Sequence, residues 1–316
     1  MSDQSMQPLY TILGAGGVIA NELATELVKN GKRVRLVSRS PKAFAGIDEL
    51  FPADITNAEQ TMQAVKGSSI VFLCAGLKYD RKLWATAWPA IMTNVINACK
   101  AAGAKLIFFD NVYSYGLVDG PMLETTPYRP SSKKGEIRAR IATQLMDEVK
   151  AGNITATIAR AADFYGPNAD KTGFLNLLII DKFKKKSTAM WLGRDDMTHS
   201  YTYTPDAGKG LYLLSQDDST WNQVWHLPTS NPAPDGKGYM HIIATQMGVK
   251  PKYMKLGKFM IGLSGLFDGT IKELGEMLYQ NNYPYIFNST KFEKHFNFKP
   301  TSYEEGVKAT LAAAKQ

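Results

Sequence analysis

Residues 10–20 read Tyr-Thr-Ile-Leu-Gly-Ala-Gly-Gly-Val-Ile-Ala, an apolar β-branched stretch that meets three glycines in four positions and then enters a helical pattern. A strand that turns at once into a helix needs such residues. Gly14 permits the tight turn, Gly16 and Gly17 let the main chain come close to a ligand, and small Ala20 lets the helix pack against the strand. Val18 and Ile19 lead into the helix, whose N-terminus offers N–H groups with no intrahelical partner at the positive end of the dipole, and both are expected on the cofactor. The junction is therefore predicted to hold a pyrophosphate.

The rest of the first half repeats this alternation. Apolar or β-branched runs predict strands over 9–13, 33–37, 70–74, 106–109 and 155–159. Between them, apolar residues at three- and four-residue spacing predict helices over 20–30, 58–65, 84–102 and 135–150. Short parallel strands joined by right-handed helical crossovers give an α/β, Rossmann-type doubly wound sheet. After Pro167 the rhythm loosens. Residues 1–167 are expected to form the dinucleotide-binding domain, with segments near 200–228 returning to it as strands at 201–203 and 224–226 and a helix over 206–214. Residues 168–316 are expected to form a smaller, mixed substrate-binding region, including a glycine-rich stretch at 261–269 and an aromatic stretch at 279–287 suited to core packing, a pocket wall or a subunit face.

Composition narrows the partners. The 316-residue chain is 44% hydrophobic and 21% charged, as a soluble globular protein is, and its +8 formal charge is spread without a basic stripe. That favours acidic small molecules and phosphates over nucleic acid. Cys74 and Cys99 both lie in apolar segments, which suits a reducing compartment. No run reaches the roughly 18 apolar residues of a membrane span, and Met1 to Pro8 hold no signal-like core. A cytoplasmic, non-membrane protein is expected, with a homodimer and a monomer both left open. His226, His241 and His295 are too widely spaced for a metal site, and no metal is expected.

The end of the second predicted strand selects the cofactor. A carboxylate there, about 20 residues past the glycines, would bind the ribose hydroxyls of NAD. Instead the chain has Val37-Ser38-Arg39-Ser40-Pro41-Lys42. Ser38, Arg39 and Lys42 suit a 2′-phosphate, so NADP is expected, with NAD possible. Asp54-Ile55 is expected near the adenine, the acid being equally explicable as a helix cap. Cys74-Ala75-Gly76-Leu77 ends the third strand with small residues that let backbone lie along the cofactor.

With Asn94 to Gly103, Phe108 to Gly116, Arg160 to Pro167, Tyr201 to Asp206 and Lys299 to Gly306, the chain resembles the extended short-chain dehydrogenase/reductase superfamily, also called the NAD-dependent epimerase/dehydratase family. The resemblance implies a Rossmann domain with Asp110, Arg138, Ala161 and Ala162 along the cofactor. It also implies a Ser/Thr, Tyr and Lys triad, and here the chain departs. Asn111 stands at the hydroxyl position, Lys134 at the Tyr and Arg138 at the Lys.

A guanidinium with pKa above about 12 exchanges no proton at neutral pH, so the usual triad cannot operate as such. Asn111 is able to hydrogen-bond a carbonyl. Lys134 serves either as a proton donor or as a ligand of the cofactor's ribose or phosphate, and Tyr113, Tyr115 and Tyr128 are nearby hydroxyls. Asp163 replaces an Asn, and His199 an Arg, that many nucleotide-sugar members place on the substrate, and both changes disfavour a diphosphate. An NADP(H)-binding oxidoreductase for a small carbonyl or hydroxyl compound is expected, with Asp163 and His199 on the substrate. The alternatives are a non-catalytic NADP(H)-dependent binding protein or redox sensor and, less favoured, a nucleotide-sugar epimerase/dehydratase.

Overall fold

Strand β1 (Leu9–Leu13) is buried at every position, which requires parallel neighbours on both edges and helices on both faces. Those edges go to β2 (Arg33–Ser38) and β4 (Ile70–Leu73), with Leu13 level with Val37 on one side and Leu73 on the other. The computed structural model describes residues 7–44, 46–257 and 275–313. Beyond β2 lies β3 (Glu49–Pro52); beyond β4 come β5 (Lys105–Asp110), β6 (Ala156–Arg160) and, returning from the second half, β10 (Val224–His226). The seven strands run in the order β10-β6-β5-β4-β1-β2-β3, all parallel, with the connections reversing between β1 and β4. This is the Rossmann-type doubly wound sheet that the alternating pattern predicts, and ligands of such sheets lie at that reversal.

On one face pack α2 (Ala58–Val65), α3 (Arg81–Ala102) and α4 (Lys133–Lys150), burying Trp88, Ile91, Val95, Ile141 and Leu145 against Leu73, Leu106 and Phe108. The 22-residue α3 begins where Asp80 accepts the Lys82 and Leu83 amides and stops at Gly103 in the left-handed region. On the other face α1 (Val18–Lys29) packs against α6 (Thr204–Gln216). Gly208 makes that crossing possible, because a Cβ there would lie 2.6–2.7 Å from Glu22 atoms. Among the described residues no helix is long and apolar enough to cross a membrane.

The second half builds its own core of Tyr165, Ile179, Phe183, Trp191, Tyr201, Tyr239 and Tyr303. It carries two parallel pairs, β7 (Asp163–Tyr165) with β9 (Tyr201–Tyr203) and β8 (Ala189–Leu192) with β11 (Tyr253–Leu256). Helix α5 (Asp181–Lys184) follows a π-helical turn at Asn176–Ile180, and α7 (Gly236–Met247) precedes β11. Short helices α8 (Tyr279–Asn282) and α9 (Thr290–Phe296), then α10 (Tyr303–Ala313), close the chain. The glycine-rich stretch at 261–269 lies outside the described residues.

Three local expectations change. Strand β3 is absent from the sequence reading because Glu-Leu-Phe-Pro lacks a buried alternation; it is a half-exposed edge ending in proline. Helix α1 starts at Val18, two residues early, since nothing separates it from the glycine turn. Asp54 does not cap α2. Asn57 does, accepting the Gln60 amide at 3.0 Å, while Asp54 turns back onto Thr56.

His226, at the end of β10, is wholly buried. Its Nδ1 lies 2.7 Å from the Asn288 carbonyl, which only accepts, so Nδ1 carries the hydrogen and Nε2 accepts from Tyr115 Oη at 2.8 Å. Burial, aided by the charges of Arg160 and Lys291 against the Asn288 carbonyl, pushes its pKa down to about 3. An unfolded histidine binds a proton below about pH 6.5, whereas the folded one does not. This contribution to stability is therefore full above pH 6.5 and lost as pH falls toward 3, at up to about 1.4 kcal/mol per pH unit. Urea denaturation between pH 6 and 4 should show His226→Gln flattening the pH slope by about that amount; an unchanged slope would contradict the assignment.

Candidate active site

At the end of β1, Gly14 has φ +97°, and a Cβ there would lie 2.4 Å from Ala75 Cα and 2.5 Å from Ala75 N. No side chain fits. The amides of Gly14 and Ala15 donate to the Val37 carbonyl at 2.9 and 3.0 Å, tying the turn to the end of β2. Gly16 also has positive φ, +95°, but its missing Cβ would meet nothing within 4 Å, and the same open space lies at Gly76. Gly17 caps α1 without a side-chain hydrogen bond, so among the described residues no side chain satisfies the first helical amides around Val18 and Ile19. Glycines forced by close backbone on one side and open space above are a fit for a pyrophosphate.

One strand over, Ser38 is half-buried while Arg39 and Lys42 are exposed. Thr56, through its amide and hydroxyl, holds the Asp54 carboxyl below the usual range, and nearby Arg39 adds to this. Ile55 is half-buried against the α2–α3 core, and its carbonyl accepts from Asn94. At the end of β4, Cys74 is buried, its thiol pushed up to about 12 by burial, and therefore inert; Ala75 and Leu77 pack on the same core.

The ends of β5 and β6 carry a buried ion cluster. Asp110 Oδ1 accepts from Arg138 through both Nε, at 2.8 Å, and Nη2, while its Oδ2 accepts from Arg160 Nε at 3.1 Å. The Arg138 guanidinium lies over the Trp88 and Phe108 rings, and that of Arg160 lies between Tyr115 and Tyr128. Burial depresses the Arg160 pKa, but Asp110 and the two phenols outweigh it and raise the guanidinium above its usual value. Asp110 and Arg138 are thus brought together as a buried pair. Ala161 and Ala162 follow β6, buried, their amides donating to the Asp110 carbonyl and to Thr202 Oγ1.

Asn111 is half-buried beside this cluster. Its Oδ1 accepts the Tyr113 amide at 3.0 Å, closing a turn, which leaves the amide nitrogen as the end able to donate outward. Helix α4 comes close to this turn because position 135 is glycine: a Cβ there would lie 2.5 Å from the Tyr113 carbonyl oxygen. That approach places Lys134, wholly buried, 4.4 Å from the Tyr79 ring, with Nζ 2.9 Å from Glu276 Oε2. Glu276 also accepts the Lys134 amide. Sequence reading missed Glu276, which lies 142 positions away in a stretch without a motif. Of the nearby hydroxyls, Tyr115 is spent on His226 and Tyr128 on Arg160, while Tyr113 borders a cavity.

The same cavity brings Asp163 together with Tyr79, Phe174, Leu192 and a roof of Met277, Leu278, Gln280 and Asn281. Asp163 Oδ2 lies 2.9 Å from His199 Nε2, so the two sequence-predicted substrate residues are partners. His199 is buried and stacks on Tyr285 with centroids 4.3 Å apart. Burial above all, with the Asp163 charge, raises the pKa of Tyr113, Tyr279 and Tyr285. Among the described residues no three His, Cys, Asp or Glu side chains gather as a metal site.

Residues 10–225 match the NAD dependent epimerase/dehydratase family. The chain belongs to that family. Among curated relatives, mouse sterol-4-alpha-carboxylate 3-dehydrogenase, decarboxylating, is 23% identical over 80% of this chain and 72% of its own length. The bovine enzyme of the same name is also 23% identical, over 77% of this chain and 71% of its own. Among solved structures, Thermus thermophilus UDP-glucose 4-epimerase with NAD superposes with TM-score 0.79 at 16% identity, covering 97% of this chain and 99% of that one. The Thermotoga maritima UDP-glucose 4-epimerase with UDP-glucose gives 0.80 at 18% identity, over 97% and 98%. The matched span includes the glycine turn at 14–17 as well as Asn111, Lys134 and Arg138.

The two turn glycines should respond differently to substitution. Gly14→Ala meets both backbone strain and the Ala75 main chain and should cost about 3 kcal/mol or more in urea denaturation. Gly16→Ala meets strain alone and should cost about 1 kcal/mol. Equal losses would contradict the close approach at Gly14.

Proposed function

We propose that this family member is an NADP(H)-dependent oxidoreductase for a small carbonyl or hydroxyl compound. The observation that carries it is the helix N-terminus without a side-chain cap, above the Gly14–Ala75 contact, with Arg39 and Lys42 one strand away and no carboxylate at the end of β2. The amides from Gly16 to Ile19 would bind the pyrophosphate, and Ser38, Arg39 and Lys42 the 2′-phosphate. Asp54 and Ile55 would border the adenine, and Cys74 to Leu77 with Ala161 and Ala162 the rest of the cofactor. The names of the relatives, a dehydrogenase and an epimerase solved with NAD, support a nicotinamide dinucleotide.

When bound, the dinucleotide supplies or accepts the hydride. The chain does the rest. In the reducing direction the Asn111 amide nitrogen donates a hydrogen bond to the carbonyl oxygen and Lys134 gives that oxygen a proton, while Glu276 holds the ammonium in place. Arg138, fixed on Asp110, keeps its charge and serves as scaffold. Asp163 and His199 contact the substrate. A nucleotide-sugar is less favoured, because the usual triad and the diphosphate-binding Arg are both replaced.

Titration calorimetry and NADPH turnover with a panel of carbonyl compounds test this. Arg39→Ala should weaken NADPH binding by roughly tenfold or more, the worth of a charged hydrogen bond, and leave NADH binding unchanged. Lys134→Met should lower kcat while NADPH affinity stays within about threefold, separating a proton donor from a ribose ligand. Tight NADPH binding without turnover of any compound would leave a nucleotide sensor, and affinity for neither nucleotide would end the proposal.

A further inference from the structure

The cavity beside Lys134 carries information about what the oxidoreductase proposed above acts on. Of the described residues that line it, only Asp163 is charged. Its Oδ2 is bonded to His199, and its Oδ1 accepts no hydrogen bond from the described residues. The nearby cations are already bonded to carboxylates, Lys134 to Glu276 and Arg138 to Asp110. The polar remainder of the wall is neutral: the Tyr79 and Tyr113 phenols and the Gln280 and Asn281 amides. Burial first, then the neighbouring phenol or Asp163, raises the pKa of both Tyr79 and Tyr113, so they remain neutral hydrogen-bonding groups. Three buried polar atoms around the carboxylate, His199 Nδ1, Tyr279 Oη and Tyr285 Oη, have no hydrogen-bond partner among the described residues.

A wall with one carboxylate and several neutral hydroxyls and amides rewards a ligand that brings hydrogen-bond donors and no negative charge. An anion placed there meets Asp163 at short range in a desolvated site, where like charges repel strongly. We propose that the pocket takes an uncharged, hydroxyl-bearing carbonyl compound, one hydroxyl donating to Asp163, and rejects carboxylates and phosphates. As it stands the cavity holds about one water, so residues 277–281 must shift outward to admit such a compound. This rests on the oxidoreductase assignment and adds the charge class of its substrate.

Three probes with a shared three-carbon ketone skeleton test it by calorimetry against protein saturated with NADPH: dihydroxyacetone, pyruvate and dihydroxyacetone phosphate. NADPH binding is measured first, so its failure refers to the oxidoreductase assignment alone. With NADPH bound, wild-type protein should bind dihydroxyacetone at least tenfold more tightly than either anion. Asp163→Asn should weaken dihydroxyacetone and strengthen pyruvate, each by about tenfold. An anion preferred by the wild-type protein, no binding of any probe, or an unchanged order in Asp163→Asn overturns the proposal. If the variant fails to fold, the wild-type order decides by itself.

Discussion

The contact between Gly14 and the Ala75 backbone is the constraint on which the rest depends. It draws the ends of β1 and β4 together where the sheet's connections reverse, and it turns the chain so that α1 begins with amides that no side chain caps. From that point the other features take their positions. Helix α6 holds α1 from outside through Gly208, and the Val37 carbonyl fixes the turn to β2, whose end carries Arg39 rather than an acid. The β1–α1 junction is thus built on packing that serves the sheet and on polar groups that the sheet leaves unused.

The end of the sheet at β5 and β6 is built on a different principle, charge buried with its partner. Asp110 joins Arg138 and Arg160 below, and Glu276 meets Lys134 above. Removing one member of such a pair leaves a buried charge without compensation, which is far more costly than an exposed pair. This explains how two cations, Lys134 and Arg138, stay buried side by side on one helix: each has a carboxylate partner. The cavity wall at Asp163 follows the same pattern, with His199 held on Asp163 between aromatic rings.

Local patterns made the sheet legible. Fully buried strands such as β1, β4 and β6 are continuous apolar runs, and the glycine turn has few alternative uses. Strand β3 escaped because an edge ending in proline needs no such run, and the β8–β11 pair because its residues are divided between core and solvent. The site was partly legible. Asp163 and His199 were marked by position, and the structure makes them neighbours; Asn111 was found from its place four residues before the Tyr115-Gly116 pair, and Lys134 and Arg138 by counting from Pro130. Glu276 was invisible, since pairing across the whole fold leaves no trace in spacing. Asn57 rather than Asp54 takes the capping role, because it directly precedes the helix and reaches the Gln60 amide, whereas Asp54, three residues earlier, reaches only Thr56.

The central claim is that the amides at the start of α1 grip a dinucleotide. Backbone hydrogen exchange across residues 14–20, followed by mass spectrometry with and without NADPH, tests it directly, because a pyrophosphate bound there must shield those N–H groups. Exchange at 14–20 slowed by tenfold or more on adding NADPH is the expected result. Exchange unchanged there, with NADPH demonstrably bound, would place the nucleotide elsewhere and contradict the claim.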